Sequence, residues 1–429
     1  MRGRGYLWTP DPRTSLGGRV TAAVVALHNL DSPDGDRGGR LWGRFVRVRN
    51  GGAVNEADPV THGVRAVPIG DARPNPDGDF LFEPGRGGGR MDKVALAAPD
   101  FRWRYIQASH FGEVNTYFHL DRIATYVDEL LQELGACSLP RAMAVVNAHH
   151  AATETGGIRD GVRRGGRWLP FQGGHYRLPS RRGEVVEHEA ISPDGEIHVG
   201  PGWQLVEHGA IAQAAGGRYR ANASHNAGIL YHEYGHHITR HTADFQANAL
   251  RRPDRQSNRK TAIDEAICDY WAATLLETPH IWAWHKRHDA EVVHPRSLTS
   301  SKTMADCAAS PAVDAHADGT ILASALWDMR MGLRTSGPDG ARSCDLLVLQ
   351  SLLLMGARIR ETGRAAARMM RLTGFSFAMG LQAFLQADEL LNGGRHRDRV
   401  ISCFAARGIR PAFESKPVKG RLCSDGKIG

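Results

Sequence analysis

Tyr231-His232-Glu233-Tyr234-Gly235-His236-His237 is the stretch on which the reading of this chain turns. His232 and His236 stand four residues apart, and Glu233 directly follows the first. On an α-helix, side chains at i and i+4 project from one face, so both imidazoles can reach a single metal ion. Glu233 is turned about 100° around the helix from His232. From there its carboxylate can take a proton from water without being a ligand itself. The pattern predicts a helix from Asn226 to about His241, with Ile229, Leu230, Tyr234 and Ile238 as apolar positions. H-E-x-x-H also arises by chance, so its partners decide.

The first partner is Thr261-Ala262-Ile263-Asp264-Glu265-Ala266-Ile267-Cys268-Asp269-Tyr270-Trp271, a second predicted helix that continues through Leu276. Glu265 and Asp269 form another i, i+4 pair. A carboxylate at Glu265 would complete a His-His-Glu set for zinc and leave the fourth position open. Asp269 would then orient a ligand histidine through its second ring nitrogen. The competing reading is a solvated acidic stripe. Against it, Ala, Ile, Trp and Leu surround this helix on all sides, and buried carboxylates need partners.

The two blocks, HEYGH and DEAICD, resemble the gluzincin zinc metallopeptidases, the thermolysin and fungalysin relatives. Their pattern is H-E-x-x-H followed by E-x-x-x-D. The separation here, 265 − 236 = 29, is longer than in thermolysin and closer to the fungalysin-like branch. A third block, Asp314-Ala315-His316-Ala317-Asp318-Gly319, resembles the family's H-x-x-G block before a long helix. Asn115-Thr116-Tyr117-Phe118 is similar to the block beside the substrate cleft, and the alternative for Asn115 is a helix-initiating polar residue.

The resemblance spans about residues 111–410. It implies an α+β fold in which a β-rich N-terminal region precedes a thermolysin-like catalytic domain. That domain would have a twisted sheet, a zinc helix and a mainly helical C-terminal lobe. It implies one catalytic zinc on His232, His236 and Glu265, with Asp269 behind the ligands and Asn115 on the substrate. Glu233 would be the general base and His316 would steady the transition state. The activity implied is a zinc-dependent metalloendopeptidase acting on peptide or protein substrates. One departure stands out: the family adds a tyrosine donor between the second histidine and the glutamate, and residues 237–264 contain none. Either His316 acts alone, or Tyr231, Tyr234 or a distant tyrosine substitutes.

Composition sets broad bounds. The 429 residues suffice for two or three lobes, and 41% hydrophobic with 23% charged residues is ordinary for a globular chain. The net charge of +8 comes mostly from scattered arginine, with pairs at Arg163-Arg164, Arg181-Arg182 and Arg251-Arg252. No nucleic-acid recognition motif accompanies it, so no nucleic-acid partner is expected. No apolar run is long enough to span a membrane; the longest, Leu346–Ile359, is interrupted by Gln350, Ser351 and Arg358. The opening residues lack a signal-peptide core. The resemblance implies secretion, and the alternative is a cytoplasmic protein. Six cysteines without C-x-x-C spacing leave disulfides open, and oligomeric state is unread.

Along the chain, residues 1–110 read as a β-rich region, with strands at Arg19–His28, Leu41–Val48 and Lys93–Ala97. The acidic clusters Asp31–Asp36 and Asp77–Asp79 could bind calcium, but neither has EF-hand spacing; both are read as turns and no calcium site is assigned. Residues 111–241 form the sheet-containing lobe. It begins with a helix from about Glu113 to Leu134 stopped by Gly135, and short strands such as Glu184–Glu187 and Glu196–Val199 follow. Residues 242–410 form the helical lobe, with helices at Ser343–Ile359, Arg364–Leu372, Phe375–Leu391 and Arg397–Arg407, and 411–429 is a tail.

Two rival functions remain open at this stage. One is a catalytically silent zinc protein of the same fold that holds extended peptides. The other is a basic surface-binding protein in which the metal is purely structural and closed by a fourth ligand, for which Cys268 is the nearby candidate.

Overall fold

The computed structural model describes residues 1–10, 18–31, 39–57, 60, 64–84, 101–152, 158–160, 168–170, 173–178, 191–200, 206–207, 210–211, 222–252, 260–281, 296–307 and 315–411. The strands expected at Lys93–Ala97 and Glu184–Glu187, Asp314, most of Asp31–Asp36 and the tail after residue 411 lie outside the described residues. Helices and small sheets mix in an α+β chain. It divides into two compact units built from non-contiguous segments: Met1–Ala124, Arg141–Tyr234 and Ala283–Val292 in the first, and Thr125–Pro140, Gly235–Trp282 and Val293–Gly429 in the second.

The first unit opens on β1 (Arg2–Pro10) and β2 (Gly18–Ala26), an antiparallel ribbon registered from Arg2↔Ala26 to Pro10↔Gly18. β3 (Val46–Asn50) is shorter than the expected Leu41–Val48 strand. The Gly43 amide donates to the Val46 carbonyl at 2.8 Å and turns the chain there, so only the second half continues as a strand. β4 (Ala53–Ala57) pairs with β5 (Val64–Pro68). Asp77–Asp79 is the turn that was read: the Asp77 and Asp79 amides both donate to Asn75 Oδ1, and Asp79 holds the Arg2 side chain.

The helix α1 (Phe101–Glu133) starts twelve residues before the expected Glu113. Gly112 lies inside it because Ser224 packs where a side chain would stand: a Cβ there would come within 2.1 Å of Ser224 Oγ. The stop is as read, with Gly135 at φ +64 and the Ala136 amide donating to the Leu131 carbonyl. After α1 come β6 (Ala142–Val146), β7 (His149–Ala152), β8 (Ile158–Asp160), β9 (Trp168–Pro170), β10 (Gly174–Arg177), β11 (Glu196–Val199), β12 (Val206–Glu207) and β13 (Ala210–Ile211). β11 matches its expected bounds. The main sheet has the order β10-β11-β6-β3, parallel except for the β10–β11 pair, which makes β10 an end strand.

A helix α2 (Ala227–His241) begins where the sequence places it. Asn226 Oδ1 accepts from the Gly228 and Ile229 amides at 2.9 and 3.3 Å, satisfying donors that the first turn cannot. The unit division falls inside this helix, after Tyr234.

In the second unit, α3 (Ala262–Leu276) is buried along all its residues, as its all-round apolar composition requires. α4 (Ala315–Arg334), α5 (Gly340–Thr362), α6 (Arg364–Met369), α7 (Thr373–Asn392) and α8 (Arg397–Ala405) complete it. The last four begin and end within a few residues of the helices expected there. Among the described residues no helix is long and apolar enough to cross a membrane. The five described cysteines, 137, 268, 307, 344 and 403, are free thiols.

At the centre of this helical unit Asp345 is fully buried. It accepts from Tyr270, from Tyr126 at 2.5 Å and from Arg330 Nε at 3.2 Å. Burial and the neighbouring carboxylate push the Tyr270 and Tyr126 hydroxyls far up from their ordinary range, so both stay donors. Asp345→Ala strands the Arg330 charge and is expected to lower unfolding free energy by about 3–5 kcal/mol, measured by urea denaturation. A loss below about 1 kcal/mol would show that the network is not what holds these helices.

Candidate metal centre

The site is built on α2 and α3. His232 and His236 are 3% and 2% exposed, on one face of α2 as the helix period demands. The residue between them, Gly235, has a packing reason to be glycine. A Cβ there would stand 2.6 Å from Cys268 Cα on α3, which is backbone that cannot move aside. The missing side chain therefore lets the second half of α2 lie directly on α3. That brings Asp264, Glu265 and Cys268 to the His236 ring.

Two sides of that ring differ. On one side, Nδ1 lies 3.1 Å from Asp264 Oδ1 and 3.1 Å from Cys268 Sγ. Thr239 Oγ1 donates to the same Asp264 oxygen at 2.5 Å and fixes the carboxylate. On the other side, Nε2 lies 3.7 Å from Glu265 Oε1. That is too long for a hydrogen bond. It is close to the separation of about 3.3 Å between two ligand atoms that each sit about 2.0–2.1 Å from a tetrahedral zinc. A proton on Nδ1, given to Asp264, leaves the Nε2 lone pair pointed at the Glu265 side.

The third element is α4. A Cβ on Gly319 would meet the Ala262 carbonyl at 2.9 Å and Glu265 Cβ at 3.2 Å, so this glycine sets the first turn of α4 against the first turn of α3. His316, three residues earlier on the same face, thereby reaches Glu265: its Nε2 is 3.2 Å from Oε2, while its side chain stays 47% exposed. Arg296 Nη2 lies 3.3 Å from the same oxygen, and Lys260 Nζ lies 3.9 Å from Oε1. The fully buried Glu265 carboxylate thus has two cations within 4.0 Å, Arg296 and Lys260, which offset the cost of burying its charge.

His232, His236 and Cys268 form a buried group whose ligand atoms, one from each residue, lie within 4.8 Å of one another. Such a group could hold a metal ion, and imidazole with thiolate is a donor set compatible with zinc. Cys268 therefore faces His236 on the Nδ1 side, and Glu265 faces it on the Nε2 side. The two nitrogens of one ring point in different directions, so a single ion cannot use both.

Other expected site residues fall as follows. Glu233 is 4% exposed, beside β10: a Cβ on Gly174 would stand 2.7 Å from Glu233 Cγ, so only glycine leaves room for its side chain. Asp269 holds Arg296 through two bonds of 2.8 Å. Asn115 is fully buried rather than beside a cleft; its Oδ1 accepts from the Tyr6 amide and its Nδ2 donates to the Ser224 carbonyl, each at 2.8 Å. It is a clamp on backbone inside the first unit. Tyr231, a candidate for the missing tyrosine donor, is bonded through its hydroxyl to His119 Nδ1 at 2.7 Å and is fully buried. Sequence reasoning missed Asp264, Lys260 and Arg296. Asp264 had a signal, since it precedes Glu265 by one residue, whereas Arg296 lies 31 residues on without a motif.

Asp264→Ala is expected to lower zinc affinity about 10- to 100-fold by releasing the His236 ring, measured by competition with a chelating dye. Unchanged affinity would show that Asp264 does not set the ring. Gly235→Ala must push α2 off α3, and should weaken both zinc binding and thermal stability; retention of both would refute the close-packing account.

Comparison with protein-family models finds no match to this chain, and no curated protein matches its sequence.

Proposed function

We propose that this protein is a zinc-dependent metalloendopeptidase, with His232, His236 and Glu265 as ligands. The observation that carries the reading is the His236 ring, with Nδ1 on Asp264 at 3.1 Å and Nε2 set 3.7 Å from Glu265 Oε1. That spacing suits two ligands of one ion better than two groups bonded to each other. Bound there, zinc supplies a Lewis acid for a peptide carbonyl and lowers the pKa of water.

The remaining chemistry belongs to the chain. Glu233, a buried carboxylate next to the first ligand, accepts a proton from the attacking water and delivers it to the leaving amine. His316 is half-exposed beside Glu265, so its ring can donate to the carbonyl oxygen as that oxygen gains charge. β10 ends its sheet and runs past Glu233 at Gly174, and an extended peptide added to that edge would place its backbone at the base. A thermolysin-like arrangement of sheet, zinc helix and helical lobe is part of the same proposal.

Glu233→Gln should fold, keep its zinc and lose at least about 100-fold in peptide cleavage. Cleavage at the parental rate, with contaminating protease excluded, would sink the mechanism. The second reading, a structural metal, is favoured by the buried group of His232, His236 and Cys268, whose ligand atoms lie within 4.8 Å of one another and which does not include Glu265, with Cys268 Sγ at 3.1 Å from His236 Nδ1. The two readings part on ligand removal. Glu265→Gln should empty the site and Cys268→Ser should leave zinc near one per chain, by elemental analysis after dialysis. The opposite pattern would favour the structural metal.

A further inference from the structure

The second unit carries a pocket that the metal centre does not use. It has a volume of about 720 Å³ and is lined by Arg251, Arg252, Arg364, Arg368 and Arg371, with Leu250 contributing apolar surface. The volume falls in the range of small-molecule sites. Two short segments build it. Arg364 and Arg368 are i and i+4 on α6, so the helix period stacks them on one side, and Arg371 lies in the turn that follows the helix. Across from them, Leu250 ends the short 3₁₀ turn Asn248–Leu250, and Arg251 and Arg252 follow it.

Five guanidinium groups around one cavity repel each other, and surface arginines normally relieve this by pairing with carboxylates. Elsewhere in the protein they do so: Arg342 pairs with Glu133 and Arg407 with Asp328. Among the described residues none of the five pocket arginines has an ion pair. Four of them are exposed and Arg251 is half-buried, so their donors remain open to solvent. Guanidinium groups are planar forks that match phosphate oxygens two at a time. A concave site with five forks and, among the described residues, no acid in its lining suits a compact ligand bearing several phosphates, rather than a single carboxylate.

We propose that this pocket binds a small multiply phosphorylated anion, as a free phosphate chain or as the phosphate tail of a nucleotide. Nothing in this depends on the metal centre, since zinc binding and pocket binding are read separately.

The test is isothermal titration of the full chain with tripolyphosphate, ATP and AMP at low and at raised salt. Tripolyphosphate or ATP should bind one per chain, AMP much more weakly, with affinity falling as salt rises. Equal affinity for the first two assigns the site to the phosphate chain, and tighter ATP assigns it to the nucleotide; either supports the proposal. Arg364→Gln/Arg368→Gln should weaken binding by about tenfold or more, since two charge-assisted contacts are lost. The control Arg395→Gln/Arg397→Gln removes the same charge outside the pocket and should change it little. Circular dichroism checks folding, and Arg371→Gln alone should give a smaller loss of the same sign. Three results would overturn the proposal: no binding of either polyphosphate, equal loss in the control pair, or pocket-dependent binding of duplex DNA without binding of tripolyphosphate.

Discussion

Everything in the candidate site depends on how closely helices can lie against α3. Gly235 on α2 meets Cys268 backbone, and Gly319 on α4 meets the Ala262 carbonyl, at distances where a single added carbon would collide. Both glycines cost helix stability, roughly 1 kcal/mol each relative to alanine. That cost is tolerated where two helix backbones must touch. Both glycines sit beside histidines, so close packing and site chemistry are set by the same turns. The contact brings His236 and His316 onto one buried carboxylate, Glu265, from different helices.

Electrostatics then determine what the cluster can be. Burying Glu265 completely would force it to neutralise unless positive charge stood nearby. Arg296 and Lys260 provide that charge within 4.0 Å. A divalent ion would add to it rather than replace it. The His236 ring is poised between a thiol and carboxylate on one edge and Glu265 on the other. The side on which an ion binds is the difference between an open centre and a closed one.

Much of this was legible in the sequence, and what was not has physical reasons. α2 was readable from the apolar positions Ile229, Leu230, Tyr234 and Ile238, and α3 from its all-round apolar composition. The helices after residue 340 were readable for the same reason. α1 was read too short although Phe101, Tyr105, Ala108 and Phe111 already keep helical spacing; Gly112 stands between them and the stripe of residues 114–131. The Leu41–Val48 strand was read too early because a tight turn at Gly43 has no signature in an apolar run. Among site residues, the i, i+4 pairs are local and were visible. A polar residue on an apolar helix looks the same in sequence whether it faces a ligand or clamps backbone, and Asn115 clamps backbone. Arg296 reaches Glu265 through tertiary packing alone, which no local pattern records.

The central claim is that the ion sits on the Nε2 side of His236, with Glu265 and without Cys268. X-ray absorption at the zinc edge of the zinc-loaded protein tests this most directly. Sulfur and light ligands scatter differently, and zinc–sulfur bonds of about 2.3 Å stand apart from zinc–nitrogen and zinc–oxygen bonds of about 2.0–2.2 Å. The account predicts a shell of nitrogen and oxygen alone, with the two-histidine signature. A sulfur shell would place the ion on Cys268 and contradict it.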